Sequence, residues 1–270
     1  MYSKEIVLNG TKNTRTLSNL INKDGLSIKD NLLIRSDALN KIDEEDINTL
    51  CNVYNLKRIF DFRTDAEVYG KPDVVIDGVK YIHNPILGSD KIGISKKGEK
   101  EDFDAFIEVL HKNGVESSKN YMIRTYKTLV ELDFACCGYS RFLHELLDDV
   151  GGASLWHCSA GKDRAGFATI LVLYLLDFEF DDIVCDYLAT NLFYSENVNR
   201  LCNKFGEEYR PILNSLFGVC KDYVDVLINT CDELYGGFDN YIKDVLKFSD
   251  EDKLKLKSIY LRYGDLNEFK

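Results

Sequence analysis

The stretch Ser154-Leu-Trp-His-Cys158-Ser-Ala-Gly161-Lys-Asp-Arg164-Ala-Gly166-Phe-Ala-Thr-Ile-Leu constrains the fold more than any other part of the sequence. A short apolar run ending at His157 reads as a buried strand, and the loop after it holds Gly161. An apolar run over 165–176 then reads as a buried helix that begins near Asp163. Strand, tight loop and helix in that order call for an α/β layer. They put Cys158 at the carboxyl end of a strand, where open α/β sheets build their sites. The apolar run has twelve residues, short of the roughly 18 to 20 that cross a bilayer, so stable membrane insertion is not expected.

The rest of the chain repeats the alternation. Runs at 32–35, 57–61, 80–84 and 154–157 read as strands, with an edge strand at 6–8. Helical spacing recurs at 44–54, where Ile47, Leu50, Cys51 and Tyr54 share a face, and at 121–132 and 139–147. Asp43 offers an N-cap for the first of these, without the Glu or Gln that completes a capping box. Residues 88–102 read as a charged loop leading into a helix at 103–111. Beyond Phe180 the pattern is helical throughout: 183–193, 196–205, 209–216, 221–234, 238–246 and 251–263. No linker separates that region, so the expectation is one domain over 1–270. It comprises an α/β core over 1–195, with a largely parallel sheet flanked by helices, and a helical extension over 196–270.

Charge and cysteine content narrow the chemistry. Lys plus Arg is 34 against 45 for Asp plus Glu, a formal charge of -11. That balance excludes non-specific nucleic-acid binding, which needs a basic face, and leaves room for a small anionic substrate in a locally positive pocket. Eight cysteines show no Cys-x-x-Cys spacing and the four histidines do not cluster, which argues against a zinc site. The first ten residues lack the apolar core of a secretory signal, so a reducing, cytoplasmic setting is the expectation.

The loop itself carries a specific physics. Successive N–H groups ahead of a helix N-terminus converge on one point and make an anion cradle. Arg164, six positions after Cys158, can return to the rim and offer a planar fork to two oxygens of a phosphate. A sulfur anion at the base of that cradle is an in-line nucleophile for phosphorus. The plain alternative is an inert buried thiol in an ordinary turn.

His157-Cys-Ser-Ala-Gly-Lys-Asp-Arg-Ala-Gly166 resembles the signature loop of the cysteine-dependent tyrosine phosphatases, and Gly161-Lys-Asp-Arg164 is similar to their atypical bacterial and fungal branch. Leu33-Ile-Arg35-Ser36-Asp-Ala-Leu39, Arg58-Ile-Phe-Asp61-Phe-Arg63-Thr-Asp-Ala-Glu67, and Tyr235-Gly-Gly-Phe-Asp-Asn-Tyr241 followed by Ser249-Asp-Glu-Asp extend the likeness over roughly residues 30 to 263. The resemblance implies a tyrosine-phosphatase-like fold and phosphomonoester hydrolysis through a phosphocysteine, without metal or cofactor. Its expected partners are phosphorylated proteins, or phosphoinositides. It makes Cys158 the nucleophile and Arg164 the clamp, with Ser159, Ala160, Gly161 and Lys162 around the phosphate.

Other roles stay open at this level. Asp163 is either the proton donor or a helix cap, and Asp61 is the alternative donor. Asp61 and Arg63 either reach the substrate or pair with each other. Lys162 is a solvated loop charge or a second cationic contact, as a polyphosphorylated inositol lipid would need. Ala165 stands where many relatives carry Ser or Thr, which points to slow hydrolysis of the intermediate unless Ser159 or water substitutes, and keeps a phosphate-binding module with vestigial catalysis in view. A sulfurtransferase or arsenate reductase is disfavoured by Gly161-Lys-Asp-Arg164.

Overall fold

The computed structural model describes residues 2–88 and 100–263. In chain order the elements are β1 (Lys4–Glu5), β2 (Arg15–Thr16), β3 (Leu26–Ile28), β4 (Leu33–Ser36), α1 (Glu44–Asn48), β5 (Leu56–Asp61), α2 (Asp65–Gly70) and β6 (Lys80–His83). They continue with α3 (Lys100–Lys112), α4 (Val115–Glu131), α5 (Asp133–Glu145), β7 (Ala153–His157), α6 (Arg164–Leu175), α7 (Phe180–Leu188) and α8 (Thr190–Phe205). The chain closes with α9 (Arg210–Phe217), α10 (Lys221–Tyr235), α11 (Phe238–Asn240), α12 (Asp250–Tyr260) and β8 (Leu261–Tyr263).

Six strands form the main sheet in the order β1-β2-β4-β7-β5-β6. The four from β4 to β6 run parallel, and β1 and β2 add antiparallel at one edge. The expected α/β architecture with a largely parallel sheet flanked by helices is the one found. A side-chain period of two sorts the central strands between two apolar layers. Trp156, Phe60 and Leu33 face the larger layer, shared with α4, α5, α6 and α10, whereas Leu155, Ile59 and Ile34 face a smaller one with Ile6, Leu39 and Leu50. Trp156 also donates from Nε1 to Thr169 Oγ1 at 3.0 Å, locking β7 to α6. Each such large side chain, removed from water, stabilises the fold by roughly 1.5–3 kcal/mol. The parallel register aligns His157 with both Ser36 and Asp61, so β4 and β5 flank the start of the signature loop.

Several local expectations are corrected. The edge strand is Lys4–Glu5, paired with Arg15–Thr16, not 6–8; Ile6 and Leu8 are buried and Val7 is exposed, so their alternation reflects packing of an extended segment. Asp43 does sit in a capping box, closed by Asp46 where the expectation looked for Glu or Gln. Helix α1 runs on into one π-helical turn, Thr49–Val53. The helix expected over 251–263 stops at Tyr260, and β8 pairs with β3, 233 residues or more earlier in the chain. Helix α8 spans the expected core boundary at 195/196, and residues 89–99 of the expected charged loop lie outside the described residues.

Candidate active site

After His157 the chain turns at Gly161, whose φ of +62° is left-handed. A Cβ there would lie 2.4 Å from the Ser36 carbonyl oxygen and 2.7 Å from Asp37 N, so glycine is required both for conformation and for the close approach to the end of β4. The carbonyls of the turn are drawn outward. Ala160 O accepts from Tyr194 Oη at 2.6 Å and Asn13 Nδ2 at 3.2 Å; Gly161 O accepts from Arg35 at 2.8 Å and Asn13 at 3.1 Å. These bonds tie down two carbonyls of the turn that leads into the α6 N-terminus. Gly161→Ala is expected to destabilise the fold by at least about 2 kcal/mol and to abolish phosphate binding, read by urea unfolding and phosphate titration.

Arg164 opens α6 and is held by Glu67 of α2. Nη1 lies 2.7 Å from Oε2 and Nη2 lies 3.0 Å from Oε1, a two-point clamp. Glu67 is placed by its own capping box with Thr64 and also accepts the Ser159 hydroxyl at 2.6 Å. Burial alone would raise the Glu67 carboxyl; Arg164, Ser159 and the Thr64 amide outweigh it and hold the group well below the usual carboxylate range. Further Arg164 contacts, from Nη1 to Phe62 O at 3.3 Å and from Nη2 to Ser159 Oγ at 3.4 Å, lie at the long end of the hydrogen-bond range.

Cys158, Asp163 and Arg164 line one cavity of about 90 Å³, whose walls include Leu87, Met122 and Leu129, with Leu216 and Phe217 at the end of α9. Asp163 precedes the first helical residue without capping α6; its Oδ1 accepts the Tyr126 hydroxyl at 2.5 Å.

A thiol at a strand end, a clamped arginine six residues later and a carboxylate between them all line one apolar-walled cavity, an arrangement with the chemistry to receive a phosphate ester. A sequence profile of the tyrosine phosphatase family matches residues 6–262. The chain belongs to the tyrosine phosphatase family. It is similar to a Cupriavidus necator protein named as a tyrosine-protein phosphatase, at 25% identity over 95% of this chain and 88% of that protein. It is also similar to the triple specificity protein phosphatase PtpB of Mycobacterium tuberculosis, at 29% identity over 78% of this chain and 84% of the relative. This member of the family is a cysteine-based phosphatase.

In this tyrosine phosphatase the other residues marked in the sequence sit as follows. Asp61 is fully buried and accepts from Arg63 Nη2 at 2.5 Å and from Tyr81 Oη at 2.6 Å. Arg63 also contacts Asp73 at 2.8 Å, and neither Asp61 nor Arg63 lines the Cys158 cavity. Burial opposes ionisation of Asp61, but His157 and Arg63 offset it and depress its carboxyl. His157 is buried with Nε2 2.9 Å from Asp73; burial disfavours its charged form, yet Asp61 and Asp73 together raise its pKa. Among the described residues, Asp61, Asp73 and His157 are the group close enough to hold a metal ion. The Arg63 guanidinium lies against both carboxylates and offsets their charge.

Lys162 lines the same cavity as Cys158. Its ammonium is buried and donates to Leu216 O at 2.5 Å and Gly218 O at 3.2 Å, carbonyls left unpaired at the end of α9. Sequence reasoning missed Glu67 and Tyr126 as parts of the site. Glu67 had a local signal, the Thr64-Asp-Ala-Glu67 capping box; Tyr126, on α4, had none. Among the described residues no helix is long and apolar enough to cross a membrane.

Proposed function

We propose that the chain hydrolyses phosphotyrosine in proteins through a phosphocysteine at Cys158. The observation that carries this reading is the single narrow cavity holding Cys158, Asp163 and Arg164 between apolar walls, which suits a flat aryl ring better than a hydroxylated one. In the first step the Cys158 sulfur attacks phosphorus as the phosphorus–oxygen bond to the tyrosine breaks, and the leaving oxygen takes a proton from Asp163. Arg164 and the loop N–H groups hold the three remaining oxygens. In the second step water attacks phosphorus, its proton passes to the Asp163 carboxylate, and the sulfur departs. Ser159 is engaged by Glu67, so its hydroxyl does not make good the one missing at Ala165.

Lys162 supports the peptide reading over the inositol one, because its ammonium already binds α9 carbonyls. The name of the Mycobacterium relative favours a second reading, a broader range of phosphoesters. Both are tested by one panel. Asp163→Asn is expected to lower kcat for phenyl phosphate about 100-fold and for para-nitrophenyl phosphate far less, since the better leaving group needs no proton. Equal losses would remove Asp163 as the donor. For the wild type, kcat/KM on a phosphotyrosyl peptide is expected to exceed that on an inositol phosphate by at least about tenfold; the reverse order would reject the peptide assignment.

A further inference from the structure

A carboxylate one position before a helix ordinarily accepts from the first-turn amides. Asp163 makes no such bond. Its Oδ1 instead accepts the Tyr126 hydroxyl at 2.5 Å, with Lys162 Nζ 3.5 Å from the same oxygen. Tyr126 Oη in turn lies 2.5 Å from Tyr187 Oη. Each phenol has one proton. Because Tyr126 gives its own to Asp163, Tyr187 donates to Tyr126, and the two form a donor chain that ends on Oδ1. Oδ2 has no partner among the described residues.

The chain is built on rigid parts. Tyr126 and Tyr187 are fully buried on α4 and α7. The Tyr126 ring stacks on Tyr223 with centroids 4.9 Å apart. The Tyr187 ring fills the space beside Gly166 in the first turn of α6, where a Cβ would lie 3.3 Å from it. Burial first, and the Asp163 charge next, keep both phenols well above their ordinary pKa, so both remain protonated donors across the working pH range.

We infer that Tyr126, held in place by Tyr187, is a positioning residue that fixes the Asp163 carboxyl so that its transferable proton resides on Oδ2, the oxygen left for the leaving group. This rests on Asp163 as the proton donor and adds the element that orients it. Without the hydroxyl the carboxyl is free to rotate, and the proton is shared between two oxygens, one of them turned toward Lys162.

Tyr126→Phe keeps the ring and its stacking and removes the donor. Its kcat for phenyl phosphate is expected to fall about tenfold, part of the 10²–10⁴ that a positioned acid supplies, with KM within about twofold of wild type. The loss should shrink below about twofold with para-nitrophenyl phosphate and vanish in an Asp163→Asn background. Tyr187→Phe, one step further from the carboxylate, should show a smaller loss of the same pattern, and it carries the test if Tyr126→Phe fails to fold. Equal losses with both substrates, or a loss that persists without Asp163, would overturn the role of Tyr126. A leaving-group effect in Asp163→Asn with none in either phenylalanine variant would also remove Tyr126 while leaving the donor in place. Absence of any leaving-group effect in Asp163→Asn would remove the donor and this inference together.

Discussion

Replacing Cys158 by Ser is expected to lower kcat toward an aryl phosphate by on the order of 10⁴-fold or more while phosphate and vanadate still bind. The change replaces a polarizable sulfur by oxygen and alters little volume, at a buried position where β7 meets the loop, so the fold should persist. What holds the anion is untouched: the turn around Gly161 with its carbonyls tied outward, and Arg164 clamped by Glu67. A serine hydroxyl is a far weaker nucleophile toward phosphorus than a cysteine sulfur. Steady-state assays with calorimetric titration of vanadate would separate the two effects. Retained turnover would place the nucleophile elsewhere; lost vanadate binding would mean that the sulfur helps shape the cradle.

Glu67→Gln is expected to cost about 3–5 kcal/mol of stability near neutral pH, because it leaves Arg164 as a buried charge without its counter-ion. Activity should fall with it, since the guanidinium loses the fork that aims it. The pH dependence has a definite sign. The Glu67 carboxyl is depressed in the folded protein, so its stabilisation is fully present above the ordinary glutamate pKa of about 4.3 and is lost as pH falls below that value toward the folded one. The gap between wild type and variant, measured by urea unfolding at several pH values, should therefore narrow below about pH 4.3, where protonation of the wild-type carboxyl in the unfolded chain favours unfolding. A gap unchanged down to pH 3 would mean that Glu67 acts by shape and not by charge.

The centre of this molecule was legible because its signals are local. An apolar strand, a glycine turn and an apolar helix lie within about twenty consecutive residues, and the chemistry of Cys158 and Arg164 follows from that order. The β-edge was not. Strands of two or three residues, such as β1, β2 and β8, carry too few alternations to show a period, and the pairing of β8 with β3 depends on tertiary packing that no window contains. Asp61 and Arg63, two apart on an extended segment, point to the same side, which fits a mutual ion pair as well as a shared substrate, and the sequence did not reveal that Asp73 joins them. Asp163 was ambiguous for a related reason: the residue before a helix is the place for a cap, and what turns it away from that duty is a phenol on α4, 37 positions earlier.

The N-terminal segment has a practical consequence. Ser3 N donates to Asp186 at 2.8 Å, Arg15 and Arg35 share that same carboxylate, and Asn13 reaches both loop carbonyls. A recombinant fragment cut back beyond Asn13 would retain the nucleophile, the clamp and the donor, yet its phosphate loop would be slack. Inactivity of such a fragment would then report missing scaffolding and not missing chemistry.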